Sequence, residues 1–241
     1  MIDREYQTIE VRNQARMPRI MKEVFSKILG EKIFIVERPK TLFNPACLES
    51  GLHKFMKRLL VFDLPYLKEL KRETFRSDYD ELQFAISILF DVTRAIAERD
   101  PSLQSLTNDS LKMTRAFSYL KNRIGIMVPF GRCIDAFRQL SDECLKRKMK
   151  IDTADELFVG TPDMFRGVEK DIIIVAQLRN SIVDGLGLLD REDFVRLAFS
   201  RAKQFLWVIG SSPTFRPSGT AGANLWSSFF SACQQISVGS N

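Results

Sequence analysis

Two observations predict a three-layer α/β fold with a mainly parallel sheet and helices on both faces. Short apolar runs without polar alternation recur along the chain, as strands buried on both faces require. Longer segments with apolar residues at helical spacing lie between them, so strand and helix alternate. With 241 residues and 45% hydrophobic composition, the chain suffices for one large domain or two small ones with a substantial core.

The elements follow in order. Arg16–Leu29 places Met17, Ile20, Met21, Val24, Phe25 and Ile28 on one helical face, and Gly30 ends it. Leu59–Asp63, LLVFD, is a short strand ending in a carboxylate. Asp78–Glu98 is a long amphipathic helix striped by Leu82, Ala85, Ile86, Leu89, Val92 and Ile96, and Asp100-Pro101 stops it. Arg123–Val128 is a strand closed by Pro129, and Gly131–Lys148 a helix with a basic end. Strands follow at Leu157–Gly160 and Ile172–Ala176, then a helix at Glu192–Lys203 and a strand at Phe205–Ile209. Residues 210–241 are richer in Ser, Gly and Ala, with one helix expected near Asn224–Gln235 and a loose end.

Composition narrows the function classes. Nineteen Phe against four Tyr and two Trp make most aromatics core filling. A net charge of +6 favours polyanionic partners. Cys47, Cys133, Cys144 and Cys233 form no CxxC pair and His53 is the single histidine, so no metal site is expected and a reduced thiol set is. No apolar run reaches membrane-spanning length, and the start, MIDREYQTIE, is too charged for a secretory signal. The expectation is an intracellular chain, cytoplasmic or nuclear, with no membrane partner.

The most specific stretches are Thr161–Ile174, TPDMFRGVEKDIII, and Val195–Gly210, VRLAFSRAKQFLWVIG. The first is a glycine-containing polar loop entering a strand; the second is a helix with a basic end entering another. Together they resemble motifs V and VI of superfamily 1 helicases of the nonsense-mediated-decay and senataxin type, whose wording is TVDSFQGREKDVVIVS, then RRLNVALTRAK and an apolar strand ending in Gly. RIGIMVPFGRCIDAF at Arg123–Phe137 is similar to that family's IGVITPYRAQVDLI. Asp80-Glu81-Leu82 stands where the family has an Asn-x-x-Glu-Ala helix start, and NQARMPRI at Asn13–Ile20 resembles QYRMHPxI, with Gln14, Arg16, Met17 and Pro18 retained.

The resemblance implies a RecA-like fold of the P-loop NTPase type: the second motor domain over residues 1–215, with 216–241 as an extension. No GxxxxGK[ST] phosphate loop or DEAD-like magnesium run occurs in the chain. Since a phosphate loop cradles the β and γ phosphates with backbone amides and a lysine, ATP and Mg2+ are expected only in complex with a first RecA-like domain carrying that loop. The chain alone is expected not to hydrolyse ATP. A fragment, a split product working beside another chain, and a remnant without catalysis all remain open.

Residue by residue, the resemblance implies that Arg201, in SRAK, is an arginine finger for the γ-phosphate. Arg16 would be the second γ-phosphate contact, Glu169 would bond the ribose, and Gly167 would let the loop approach a ligand or a neighbouring backbone. The alternatives are structural: Arg201 as a helix-end cation on the macrodipole, Arg16 on a helix surface, Glu169 paired with Lys170 or Arg166. Arg201 is expected to be solvent-accessible and close to Arg16. The family's FQG is Phe165-Arg166-Gly167 here, its Arg-Leu-Asn is Phe194-Val195-Arg196, its Thr is Ser200 and its QYRM tyrosine is Ala15.

Lys112–Lys150 holds ten Lys or Arg against three acids, and His53–Arg76 seven against three. Such clusters bind single strands by neutralising phosphates, or are merely solvated faces. Thr161, Pro129, Phe130 and Arg132 are the expected contacts for single-stranded RNA or DNA, RNA being preferred by the family wording. The rival reading is a non-catalytic helicase-derived module that binds RNA or protein.

Overall fold

The computed structural model describes residues 24, 27–28, 59–63, 75–149, 157–178, 187–210 and 219–237. Among them six strands form one sheet: β1 (Leu59–Asp63), β2 (Ile124–Met127), β3 (Phe158–Gly160), β4 (Lys170–Ala176), β5 (Ala202–Gly210) and β6 (Gln234–Ser237). Their order is β3-β2-β4-β5-β1-β6, and every pairing is parallel. Five helices accompany them: α1 (Phe75–Arg99), α2 (Asp109–Lys121), α3 (Arg132–Cys144), α4 (Glu192–Ser200) and α5 (Ala221–Ala232).

The period-two pleat divides the strands between two cores. Leu60, Phe62, Ile124, Ile126, Ile172, Ile174, Phe205 and Trp207 face α1, α2 and α3. Leu59, Val61, Met127, Ile173, Val175, Leu206 and Val208 face α4 and α5, joined by the helical residues Val24 and Ile28. This explains the unbroken apolar runs: each side of β4 and β5 meets a helix layer, and each fully buried large apolar side chain contributes about 1.5–3 kcal/mol. The predicted three-layer architecture is what the chain adopts.

Helix ends follow local chemistry. Asp100 closes α1 and caps the 3-10 turn Pro101–Leu103, its carboxylate accepting from Ser102 N at 2.9 Å. The helix α2, absent from the sequence reading, begins at Asn108, whose side chain accepts from Leu111 N at 3.2 Å. It buries Ala116, Phe117 and Leu120. A π turn at Leu145–Met149 follows α3. The expected helix over Glu192–Lys203 stops at Ser200, and β5 begins already at Ala202.

The tail also differs from expectation. The helix lies at Ala221–Ala232, and β6 takes up the end of the expected helix and the start of the expected loose end, paired with β1 from Leu60↔Gln234 to Asp63↔Ser237. Trp226 is fully buried and donates its indole N–H to Leu189 O at 3.0 Å, and it packs with Phe199, Phe229 and Phe230. These residues complete the same sheet and the second core.

Candidate functional site: two edges of a parallel sheet

Because all strands run the same way, the sheet has one amino edge and one carboxyl edge. Gly167, Glu169 and Arg201 precede β4 and β5 and lie at the amino edge. Thr161, Pro129 and Phe130 follow β3 and β2 and lie at the carboxyl edge, where Arg132 opens α3. Arg16 lies outside the described residues.

At the amino edge, Lys170 N donates to Arg201 O at 3.1 Å, so the loop before β4 and the end of α4 meet. The 3-10 turn Pro162–Phe165 anchors that loop. Phe165 is fully buried and stands edge-on to Phe158 at 4.9 Å; a Cβ at Gly125 would come within 2.8 Å of its ring, so glycine in β2 admits the phenyl group. Gly167 has φ +74° with no atom within 4 Å of where a Cβ would be. The left-handed backbone by itself favours glycine there, and no neighbouring backbone approaches it closely, while the space in front of it is open. Arg166, where the family has glutamine, pairs with Asp163 at 3.3 Å. Glu169 is half-buried and takes neither Arg166 nor Lys170 as partner among the described residues.

Arg201 is not solvent-accessible. It is 3% exposed at the C-cap of α4, and its Nε and Nη2 donate to Ser200 Oγ at 3.1 and 3.0 Å. The Ser200 hydroxyl in turn donates to Leu197 O at 2.9 Å. The hydroxyl retained in the Thr-to-Ser change thus orients the guanidinium. Arg201 is the single residue between the end of α4 and the start of β5.

The amino edge is cationic. Lys170 Nζ donates to Asn122 O at 3.0 Å and sits 5.3 Å from the Phe158 ring centroid. Burial, and then Lys203, depress the Lys170 pKa, with Asp171 opposing. Asp171 lies 3.8 Å from Arg123.

At the carboxyl edge, Val128 N donates to Gly160 O at 3.0 Å, which sets the Pro129-Phe130 turn beside Thr161. Pro129 is buried, Phe130 and Thr161 are half-buried and Arg132 is exposed, its guanidinium 5.0 Å from the Phe130 ring centroid. The Thr161 hydroxyl makes no capping hydrogen bond. Between β2 and β4 the connections part: α3 leads outward to β3 on one face, and α4 leads to β5 on the other. Parallel sheets bind ligands at the carboxyl ends of such a switch point.

No motif in the sequence points to Gln177 and Leu178, which follow β4 at this edge, or gives Glu81 a role beyond its place in the helix start. A polar residue closing the run IIIVAQ was the available signal. Among the described residues no helix is long and apolar enough to cross a membrane, and no cluster of His, Cys, Asp and Glu suits a metal.

Comparison with known proteins accords with this geometry. Residues 6–213 match the family model described as AAA domain. Over 123 residues the chain is 24% identical to the DNA polymerase alpha-associated DNA helicase A of Saccharomyces cerevisiae, covering 51% of this chain and 17% of the relative. Over 120 residues it is 30% identical to the putative helicase mov-10-B.1 of Danio rerio, covering 46% of this chain and 11% of the relative. The chain therefore spans a minor part of either helicase's length, and with a family model matched over most of its residues it belongs to the AAA domain family of superfamily 1 helicase type.

Proposed function

We propose that this chain is the second motor domain of an ATP-dependent helicase, acting on single-stranded nucleic acid, RNA by preference. The amino edge faces a nucleotide held by a first RecA-like domain that carries the phosphate loop, and the carboxyl edge follows the strand. One observation carries the reading: the Lys170 N to Arg201 O bond joins the Gly167–Glu169 loop to the arginine at one edge, while Thr161, Pro129, Phe130 and Arg132 gather at the other. A motor needs that separation, since hydrolysis and strand movement occur at different surfaces of one rigid sheet.

The amino-edge residues fit half of a nucleotide site. An open left-handed loop, a half-buried carboxylate and a cationic surround offer groups for a ribose and for phosphate charge. They offer no amide cradle. In the role of finger, Arg201 moves from Ser200 toward the γ-phosphate as the domains close, and stabilises charge developing during transfer. Reconstitution tests the reading: adding a phosphate-loop motor domain and single-stranded RNA should give ATP turnover that neither domain has alone.

The burial of Arg201 favours a second reading, a helicase-derived module that binds RNA or protein without hydrolysis. It predicts strand binding with no ATP turnover under any reconstitution.

A further inference from the structure

Gln177 ends the apolar run of β4 at the carboxyl edge. Its backbone N–H is bonded to Ile209 O at 3.0 Å, yet among the described residues neither Oε1 nor Nε2 of its fully buried side chain has a hydrogen-bond partner. Buried amides are almost always paired, and an unpaired one is a net cost to the fold. The amide lies against Gly210, where a Cβ would stand 1.9 Å from Oε1, so the missing side chain at the end of β5 is what admits it.

The next residue, Leu178, has φ +53° and is the sole non-glycine residue at positive φ among the described residues. Its N–H donates at 2.5 Å to Oε2 of Glu81, which is 1% exposed and comes from the amino-terminal part of α1, 97 residues away in sequence. A left-handed leucine and a buried carboxylate are each unfavourable in isolation. Here they act together to fix the direction in which the chain leaves β4, and with it the site of the amide.

We propose that the Gln177 amide is a contact for single-stranded nucleic acid, and that Glu81 is its positioning residue, acting through the turn at Leu178. The inference rests on the reading of the carboxyl edge as the strand track. An amide presents a donor and an acceptor side by side, so it suits a neutral group offering both, a base edge or a ribose hydroxyl, rather than a phosphate, which only accepts. With no hydrogen bond to a described residue to give up, the amide leaves Gly210 for such a group at the cost of packing alone.

The test measures binding of the full chain to uridine-only RNA, its DNA counterpart and an abasic strand over a range of salt. Gln177→Leu keeps the shape and removes the unpaired amide, so the unfolding midpoint should hold or rise while RNA affinity falls about fivefold, one neutral hydrogen bond. The salt slope should stay as in the unsubstituted chain, because no phosphate contact is lost, whereas Arg132→Ala should reduce it by about one. A loss confined to RNA identifies the ribose hydroxyl; a loss shared by RNA and DNA but not by the abasic strand identifies the base edge. Glu81→Ala should weaken binding similarly and non-additively with Gln177→Leu, and Glu81→Gln should restore it through its carbonyl oxygen. If Glu81→Ala does not fold, the Gln177→Leu measurements decide alone. Unchanged affinity in Gln177→Leu, or a changed salt slope, overturns the inference and leaves the track standing; an unsubstituted chain that binds no strand overturns both.

Discussion

The backbone N–H of Lys170 donates to the carbonyl oxygen of Arg201 at 3.1 Å, across 31 positions of sequence. The bond lies at the start of the β4–β5 pairing, which runs on from Lys170↔Ala202 to Ala176↔Ile209. The two motifs are thus held by the sheet's own ladder: moving one displaces the other, and the loop at Gly167 stays in step with the end of α4.

Replacing Arg201 by Ala should leave the domain folded, because the Ser200 hydroxyl keeps its bond to Leu197 O and the ladder uses only the Arg201 backbone. In the presence of a phosphate-loop partner, ATP turnover should fall by about a hundredfold or more, as loss of an arginine finger does. Arg201→Lys should not restore it, since an ammonium cannot reproduce the planar fork now set by two nitrogens on Ser200 Oγ. Steady-state ATPase rates alongside circular dichroism check both halves; unchanged turnover would favour the non-catalytic module.

The purified chain by itself should show no ATP turnover above background. The physical reason lies in the residues: no run of the sequence can wrap amides and a lysine around the β and γ phosphates. Turnover that survives removal of contaminating ATPases, and that Arg201→Ala abolishes, would show a phosphate site of another construction.

Two glycines should respond to substitution for opposite reasons. Gly167→Ala forces a Cβ into φ +74° and should cost roughly 1–2 kcal/mol, all of it in backbone, because nothing lies within 4 Å of the new atom. Gly167→Asn should recover part of that loss, since asparagine tolerates the left-handed region. At Gly222 a Cβ would come within 2.2 Å of the Asp190 carbonyl oxygen, so Gly222→Ala should lift the start of α5 from Gly187–Asp190 at a cost of about 1–3 kcal/mol. Asparagine should make Gly222 worse. Denaturant midpoints of the four variants give the comparison.

Removing residues 219–237 tests whether the tail belongs to the fold. It would strip the β6 partner from β1 and take Trp226, Phe229 and Phe230 out of the second core. The truncated chain should lose several kcal/mol and aggregate through its new open edge, which size-exclusion chromatography and thermal unfolding would register. A monomer of unchanged stability would make the tail an appendage.

What could be read from the sequence follows from how strongly each element is forced. The strands β1, β2, β4 and β5 announce themselves, because burial on both faces demands unbroken runs such as IIIVA and FLWVIG. The strand β6, QQIS, pairs with β1 at the end of the strand order and carries no such run, so it was hidden in a tail expected to be loose. The helix α2 was legible in principle from Asn108 and the spacing of Met113, Ala116, Phe117 and Leu120. The resemblance implied one exposed edge shared by Arg16, Gly167, Glu169 and Arg201; Gly167, Glu169 and Arg201 precede β4 and β5, and Arg16 lies outside the described residues. The resemblance could not predict the burial of Arg201, which stands alone between the end of α4 at Ser200 and the start of β5 at Ala202. Gln177 and Glu81 meet the same loop from positions almost a hundred residues apart, a relation that no local pattern contains.

Cys233 gives the chain a thiol that should couple its stability to alkaline pH. It is the C-cap of α5, its N–H bonded to Phe229 O at 3.0 Å, and it packs against the second core. Burial pushes the thiol up from 9.0 to about 12. Above about pH 9 the unfolded chain releases this proton and the folded chain keeps it, so the folded state binds more protons and stability falls as pH rises toward 12. Lys170 acts in the opposite sense. Its pKa is lowered from 10.5 chiefly by burial, so its charged form weakens the fold below the lowered value, and stability is regained as pH climbs through that value toward 10.5. The unsubstituted chain therefore shows the two effects superposed, and substitution separates them. The stability advantage of the unsubstituted chain over Cys233→Ala should shrink steadily from pH 8.5 to 10.5, a range chosen to bracket the unfolded thiol at about 8.5–9. Its deficit relative to Lys170→Met should shrink as pH climbs toward 10.5. Urea midpoints at four or five pH values, taken under reducing conditions, would decide it: a Cys233→Ala difference that stays constant with pH would mean that the thiol already exchanges its proton with solvent in the folded state.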